Sequence, residues 1–189
     1  MKKLVFATNN LNKLKEIKFA VDNFEVIALK DLDIHEEIPE TGITLKANAL
    51  QKAKYIFEKT GLDCFADDTG LEIEALDGKP GVYSARYAGP ECDSEANMQK
   101  VLRELEGSEN RKAQFKTVVA LIIDGKEFFF DGKVEGQILK FKTGTDGFGY
   151  DPIFCPFGYD RSFAEISLEL KNKISHRGLA IRQLINFLK

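Results

Sequence analysis

Histidine is scarce. The 189 residues contain 2, His35 and His176, too few for a multi-histidine zinc centre. The three cysteines, Cys64, Cys92 and Cys155, are odd in number, far apart and form no C-x-x-C, so they are expected as reduced thiols and not as a disulfide framework or a zinc site. Basic charge is not in excess: 27 Lys and Arg stand against 30 Asp and Glu, a net charge of −3. A global basic field for nucleic acid is therefore absent, although a local basic pocket is compatible with this balance. No apolar run approaches the roughly 20 residues of a membrane span. The N-terminal LVFA is shorter than the roughly 7 to 15 residues of a signal-peptide core, so the expected location is the cytoplasm, with no membrane partner. The chain also lacks G-x-x-x-x-G-K-[ST], G-x-G-x-x-G and G-x-S-x-G, which removes the P-loop, Rossmann and nucleophile-elbow readings.

What is present suits one globular domain, residues 1–189, organised as two lobes at most around one sheet. Hydrophobic residues make up 43% and charged residues 30%, ordinary for a soluble fold. LVFAT at 4–8 reads as a buried strand, followed by capping asparagines and a helix carrying Leu14, Ile17 and Val21. FEVIAL at 24–29 reads as a second strand. An acidic, loop-like stretch, 30–43, precedes a helix over about 44–59, which Gly61 can stop. CFADDTGLEIEAL holds one or two strands around its paired acids. A turn-rich segment, DGKPGVYSARYAG, leads to a helix over about 94–105. TVVALII, Asp124-Gly125 and KEFFF form a hairpin signal, with KVEGQIL as a further strand. A glycine-rich loop covers 143–151, and HRGLAIRQLINFLK closes the chain as a helix. Alternating helices and strands around a hairpin-rich middle argue for an α/β fold with a mixed sheet.

Five stretches carry residue types suited to chemistry. TNNLNK (8–13) joins a strand end to a helix start, where free N–H groups and Lys13 suit phosphate; taken alone it is equally a capped helix. In ETGITLKANALQKA, Asn48 and Lys52 are four residues apart and share a helix face beside the apolar one, as in any solvated amphipathic helix. Asp67 and Asp68 can join Glu40 in an oxygen-only cluster of the kind Mg²⁺ prefers, and a carboxylate there can deprotonate water; an acidic turn is the plainer alternative. Neighbours on a strand face opposite ways, so the two aspartates are expected to differ in role. In TDGFGYDPIF, Gly147 and Gly149 bracket Phe148, and Phe148 or Tyr150 can stack on a base. Lys171, His176 and Arg177 gather donors near the last helix.

The motifs TNNLNK, ETG…T…NA..KA, ADDTGL, PGVYSARYAG, DGFGYDPIF and KNKISHRG, in that order over residues 8–178, resemble the inosine triphosphate pyrophosphatases, also called dITP/XTP pyrophosphatases. The resemblance implies a long central mixed sheet flanked by helices, two lobes with a nucleotide cleft between them, and a homodimer. It implies Mg²⁺-dependent hydrolysis of ITP, dITP or XTP to the monophosphate and pyrophosphate. By the same resemblance Thr8, Asn9, Asn10, Leu11, Asn12 and Lys13 bind the triphosphate with Lys52. Glu40 and Asp68 hold Mg²⁺, Asp68 is the proton acceptor, and Thr69 touches substrate. Phe148, Gly149, Tyr150, Asp151, Lys171, His176 and Arg177 surround the base.

Two other readings compete. A Mg²⁺-dependent phosphatase acting through an aspartyl-phosphate needs D-x-D-x-T, whereas here Asp67, Asp68 and Thr69 are contiguous. A nucleotide-binding protein without catalysis needs the pocket but not the acids.

Overall fold

A computed structural model describes residues 2–189. The chain packs as two compact units that interleave along the sequence. The first comprises Met1–Asp68, Thr117–Gly132 and His176–Lys189; the second comprises Thr69–Lys116 and Lys133–Ser175. The strands run in the order β2-β1-β3-β5-β6-β7, with β4 paired to β3.

In the first unit, β1 (Lys2–Phe6) pairs in parallel with both β2 (Phe24–Ala28) and β3 (Cys64–Ile73). The intervening helix α1 (Leu11–Ala20) starts at Asn10, whose side chain accepts from the N–H groups of Asn12 and Lys13. Helix α2 (Leu45–Thr60) is capped by Thr44 and stopped by Gly61 at φ 67°, a left-handed conformation that glycine adopts without a Cβ penalty. β5 (Lys112–Ile123) and β6 (Lys126–Ile138) are joined by Asp124 at φ 50° and Gly125 at φ 71°, the geometry of a tight hairpin turn. The parallel pairs with this hairpin make the mixed sheet that the sequence suggests. β6 is one strand through Ile138, where the sequence reads as two.

Strand alternation then sorts the first unit into three layers. Leu4, Phe6, Phe65, Val119 and Leu121 pack with Leu14 and Ile17 of α1 and with Ala180, Ile181 and Leu184 of α5 (His176–Phe187). Their strand neighbours Val5, Ala7, Cys64, Ala66, Ala120 and Ile122 pack with Ala49, Ala53 and Ile56 of α2. One face of the sheet thus carries α1 and α5, the other α2. On the α2 face the buried Cys64 thiol donates to the Ala53 carbonyl at 3.1 Å, and burial pushes its pKa up to about 12. All three cysteines are free.

The second unit has its own core. Leu71 and Ile73 pack with Met98 and Val101 of α3 (Ser94–Glu104), with Phe115 of β5, and with Phe154 of β7 (Phe154–Pro156) and Phe163. β4 (Pro80–Gly81) is antiparallel to β3, and β7 is antiparallel to β6. Helix α4 (Leu168–Ile174), capped by Ser167, has no counterpart among the helices expected from the sequence. No described helix is long and apolar enough to cross a membrane.

Candidate active site

The paired acids lie inside β3, not at a turn; the strand continues through Thr69 and Gly70 to Ile73. Alternation therefore decides their partners. Asp67 follows Phe65 onto the face of α1 and α5. There its Oδ1 accepts from Lys13 Nζ at 3.0 Å and its Oδ2 from Arg177 Nε at 3.0 Å. Arg177 also donates through Nη1 to Glu16 of α1. Asp68 follows Ala66 onto the α2 face. There its Oδ2 accepts from Asn48 Nδ2 at 3.1 Å, and its Oδ1 lies 3.6 Å from Lys52 Nζ. Lys52 Nζ in turn donates to Glu40.

Asp67, Asp68, Lys52, Arg177 and Glu16 are buried and Lys13 and Glu40 half-buried, so the electrostatics of the cluster are strong. Burial by itself would raise the Asp67 carboxyl, but Lys13, Arg177 and Lys52 outweigh it and hold the group well below the usual carboxylate range. Asp68 goes the other way: burial raises it, Glu40 adds to the rise, and Lys52 and Lys13 offset only part. Burial lowers the Lys13 ammonium, and Asp67 does not fully compensate beside the positive Lys52 and Arg177. For Lys52, the opposing carboxylates of Asp68 and Glu40 overcome the burial penalty and raise it. Two adjacent acids are thus driven apart: one is a fixed anion, the other a carboxylate with raised proton affinity. That separation is how acid–base roles are assigned in enzymes.

Glu40 and Asp68, 28 positions apart in the sequence, converge on a single ammonium. They can equally converge on a divalent cation. Among the described residues no group of three or more His, Cys, Asp and Glu is placed to hold a metal ion. The carboxylate oxygens of Glu40 and Asp68 are of the kind Mg²⁺ takes, which usually keeps waters and shares ligands with phosphate. The charge balance agrees: Glu16, Glu40, Asp67 and Asp68 face Lys13, Lys52 and Arg177, so the cluster has no positive excess with which to receive a polyanion alone.

The 8–13 turn sits at the C-terminal end of β1. Thr8 Oγ1 accepts from Asn10 N–H at 3.2 Å, and Asn10 Oδ1 takes Asn12 N–H at 3.0 Å and Lys13 N–H at 3.1 Å. An anionic oxygen can take the place that the Asn10 carbonyl oxygen fills. Leu11 is exposed. Asn9 Nδ2 donates to the Glu36 carbonyl at 2.9 Å, which ties this turn to the segment carrying Glu40.

In the second unit, Asp151 Oδ2 accepts from Phe148 N–H at 2.7 Å and from Lys171 Nζ. Lys171 Nζ also lies 4.9 Å from the Phe148 ring centre. Gly147 has φ 75°, and a Cβ there would run into the Asp151 carboxylate; Gly149 has φ 63°. Tyr150 is buried in the core and donates to the Ser84 carbonyl at 2.7 Å. Phe148, half-buried, is thus the more accessible ring of the two. Thr69, also half-buried, follows Asp68 directly in β3.

The structure brings Lys13, Glu40, Lys52 and Asp68 together in the first unit, and Phe148, Asp151 and Lys171 together in the second. His176 and Arg177, grouped with Lys171 by the sequence, are buried at the start of α5 in the first unit. Glu16 went unread. In KLKEIKF it looks like one more surface charge, whereas in the fold it is buried against Arg177, 161 residues away.

A model of the Ham1 family matches residues 4–187. A dITP/XTP pyrophosphatase of Flavobacterium johnsoniae is 53% identical over 187 residues, 98% of this chain and 97% of that one. Among solved structures, the Staphylococcus aureus Ham1 protein has a TM-score of 0.88 at 40% identity, covering 99% of this chain and 98% of that one. A HAM1 protein from Coxiella burnetii has a TM-score of 0.89 at 38% identity, covering 100% and 98%.

Proposed function

The chain belongs to the Ham1 family, and from that premise we propose that it hydrolyses non-standard purine nucleoside triphosphates, dITP, ITP or XTP, to the monophosphate and pyrophosphate. The observation that carries this reading is the meeting of Glu40 and Asp68 on Lys52 Nζ, with Lys13 held by Asp67. The relatives named dITP/XTP pyrophosphatase supply the substrate class.

A triphosphate near pH 7 carries about four negative charges, so it needs cations along its length. Lys13 and Lys52 grip it, with the 8–13 turn receiving phosphate oxygens at the start of α1. Glu40 and Asp68 hold Mg²⁺, which when bound neutralises charge building on the pyrophosphate leaving group. Asp68 accepts the proton of the water that attacks the α-phosphorus, for which its raised proton affinity suits it. Asp67 does not touch the reaction. It keeps Lys13 paired and is itself kept ionised by Arg177.

Phe148 stacks on the base, and Lys171, oriented by Asp151, donates to a 6-oxo group. Adenine offers a 6-amino donor instead, and each buried mismatch costs about 1–3 kcal/mol. A homodimer in the cytoplasm is part of the same proposal, and light scattering tests the dimer.

The deciding experiment is a nucleotide panel with Mg²⁺, with products separated. dITP, ITP and XTP should yield monophosphate and pyrophosphate, and dATP should react about a hundredfold more slowly, the equivalent of two such mismatches. Release of orthophosphate alone, or binding without turnover, would overturn the reading in favour of a phosphatase or a non-catalytic binder.

A further inference from the structure

Asn48 is fully buried in α2, and both ends of its carboxamide are engaged. Its Oδ1 accepts the N–H of Gly42 at 2.7 Å, and its Nδ2 donates to Asp68 Oδ2 at 3.1 Å. Only one orientation of the amide satisfies both contacts, because a backbone N–H needs an acceptor and a carboxylate needs a donor. Gly42 lies two residues beyond Glu40. The approach is close: a Cβ on Gly42 would stand 2.7 Å from Asn48 Oδ1 and 2.8 Å from Ala47 Cβ.

The segment bearing Glu40 is an irregular strap laid against α2. One end is fixed where Glu36 meets Tyr55 and Lys59. At the other, Thr41 N–H donates to Gln51 Oε1 at 2.9 Å and Gln51 Nε2 donates back to Thr41 Oγ1 at 3.0 Å. Glu40 sits in the strap between these anchors, beside the helix whose Asn48 holds Asp68. Irregular segments hold a charged group in place only as well as their anchors do.

We propose that Asn48 is a positioning residue that locks Glu40 and Asp68 into one frame, through Gly42 on one side and the Asp68 carboxylate on the other. The proposal rests on the reading of these two carboxylates as the Mg²⁺ pair. Asn48 itself touches neither metal nor nucleotide. It fixes the spacing of the two ligands, and it ties down Asp68 Oδ2, which leaves Oδ1 on the side of Lys52. Gln51 secures the strap alone and has no bond to Asp68, so the two residues separate the two effects.

The test combines amide hydrogen exchange, calorimetry with Mg²⁺ alone, and turnover of dITP. Asn48→Ala should speed exchange in peptides covering 36–44, weaken Mg²⁺ binding at least tenfold, and lower kcat at saturating Mg²⁺ at least tenfold, with KM for dITP within threefold. Asn48→Asp keeps an acceptor for Gly42 but loses the donor to Asp68; its strap should exchange as in the wild type while kcat falls. Gln51→Ala should loosen the strap and raise the Mg²⁺ requirement, with kcat at saturation within threefold. The last two open no large cavity, so they carry the test if Asn48→Ala does not fold. Unchanged exchange in 36–44 and Mg²⁺ affinity within twofold for Asn48→Ala, or a loosened strap in Asn48→Asp, would sink the proposal. If the wild type makes no pyrophosphate from dITP, the functional reading fails, and the exchange and calorimetry arms still decide what Asn48 holds.

Discussion

Asp67 and Asp68 are adjacent in β3 but face opposite layers of the first unit: Asp67 meets Lys13 and Arg177 at 3.0 Å each, whereas Asp68 meets Asn48 at 3.1 Å and Lys52 at 3.6 Å. The period of two along a strand produces this split. On the proposed reading it gives one residue a structural task and the other a chemical one.

Substitution should separate the two tasks. Asp67→Asn leaves the buried guanidinium and ammonium short of a counter-ion, and breaking a buried pair costs about 3–5 kcal/mol. In a chain of this size that lowers Tm by about 6–20 °C. Asp68→Asn keeps the shape, leaves Lys52 paired with Glu40 and removes a carboxylate that burial already disfavours. Its Tm should stay near that of the wild type, while kcat on dITP falls about a hundredfold or more, the usual worth of a general base. Thermal melts and steady-state kinetics on both variants check this; an Asp68→Asn enzyme with wild-type kcat removes Asp68 from the chemistry.

The same pair predicts the acid limb. Asp67 has a depressed folded-state pKa, so its contribution to stability is complete above its unfolded value of about 4 and is lost as pH falls below it. Asp68 has a raised folded-state pKa. Between the unfolded value and that raised one the native state binds the extra proton, so this group gains stability as pH falls and loses activity, since the base must be ionised. Activity should therefore decline at a higher pH than stability does. Urea midpoints and kcat/KM measured on one pH series test the order. Raising Mg²⁺ should move the activity limb to lower pH, because a nearby cation favours the carboxylate.

Local signals sufficed where the cause was local. Thr44 and Gly61 bracket α2 as caps do, Asp124-Gly125 marks the β5–β6 turn, and the i, i+4 spacing of Asn48 and Lys52 puts both on one face of α2, which the fold turns toward Asp68. The opposite facing of Asp67 and Asp68 follows from pleat alone. Three things needed the folded chain. Glu16 is buried where Arg177 returns to it from the far end of the sequence. Helix α4 is only seven residues long, with Lys171 buried against Asp151, so periodicity gives it little signal. The assignment of Lys171 and Arg177 to different units depends on which compact body each helix joins, and adjacency in KNKISHRG hides it.

Gly132 offers a test of how the fold supports the site. In β6 it lies beneath the first turn of α5, and a Cβ there would run into the His176 carbonyl oxygen and stand 2.8 Å from Ala180 N. Both obstacles are backbone, so the helix must move as a body. Overpacking of this kind costs about 1–3 kcal/mol, which in a chain of this size lowers Tm by roughly 2–12 °C. The displaced turn carries Arg177, whose bond to Asp67 fixes the anion that holds Lys13. Gly132→Ala should therefore lose kcat/KM as well as Tm. Gly125→Ala is the matched control: its φ of 71° also resists a side chain, yet nothing lies within 4 Å of the new Cβ. It should lower Tm by a few degrees and leave kcat/KM unchanged. Melting and steady-state kinetics on both variants decide the matter. A Gly132→Ala protein with wild-type Tm would mean that α5 does not rest on β6 as described, and one with a lowered Tm but wild-type kcat/KM would uncouple Arg177 from the grip on substrate.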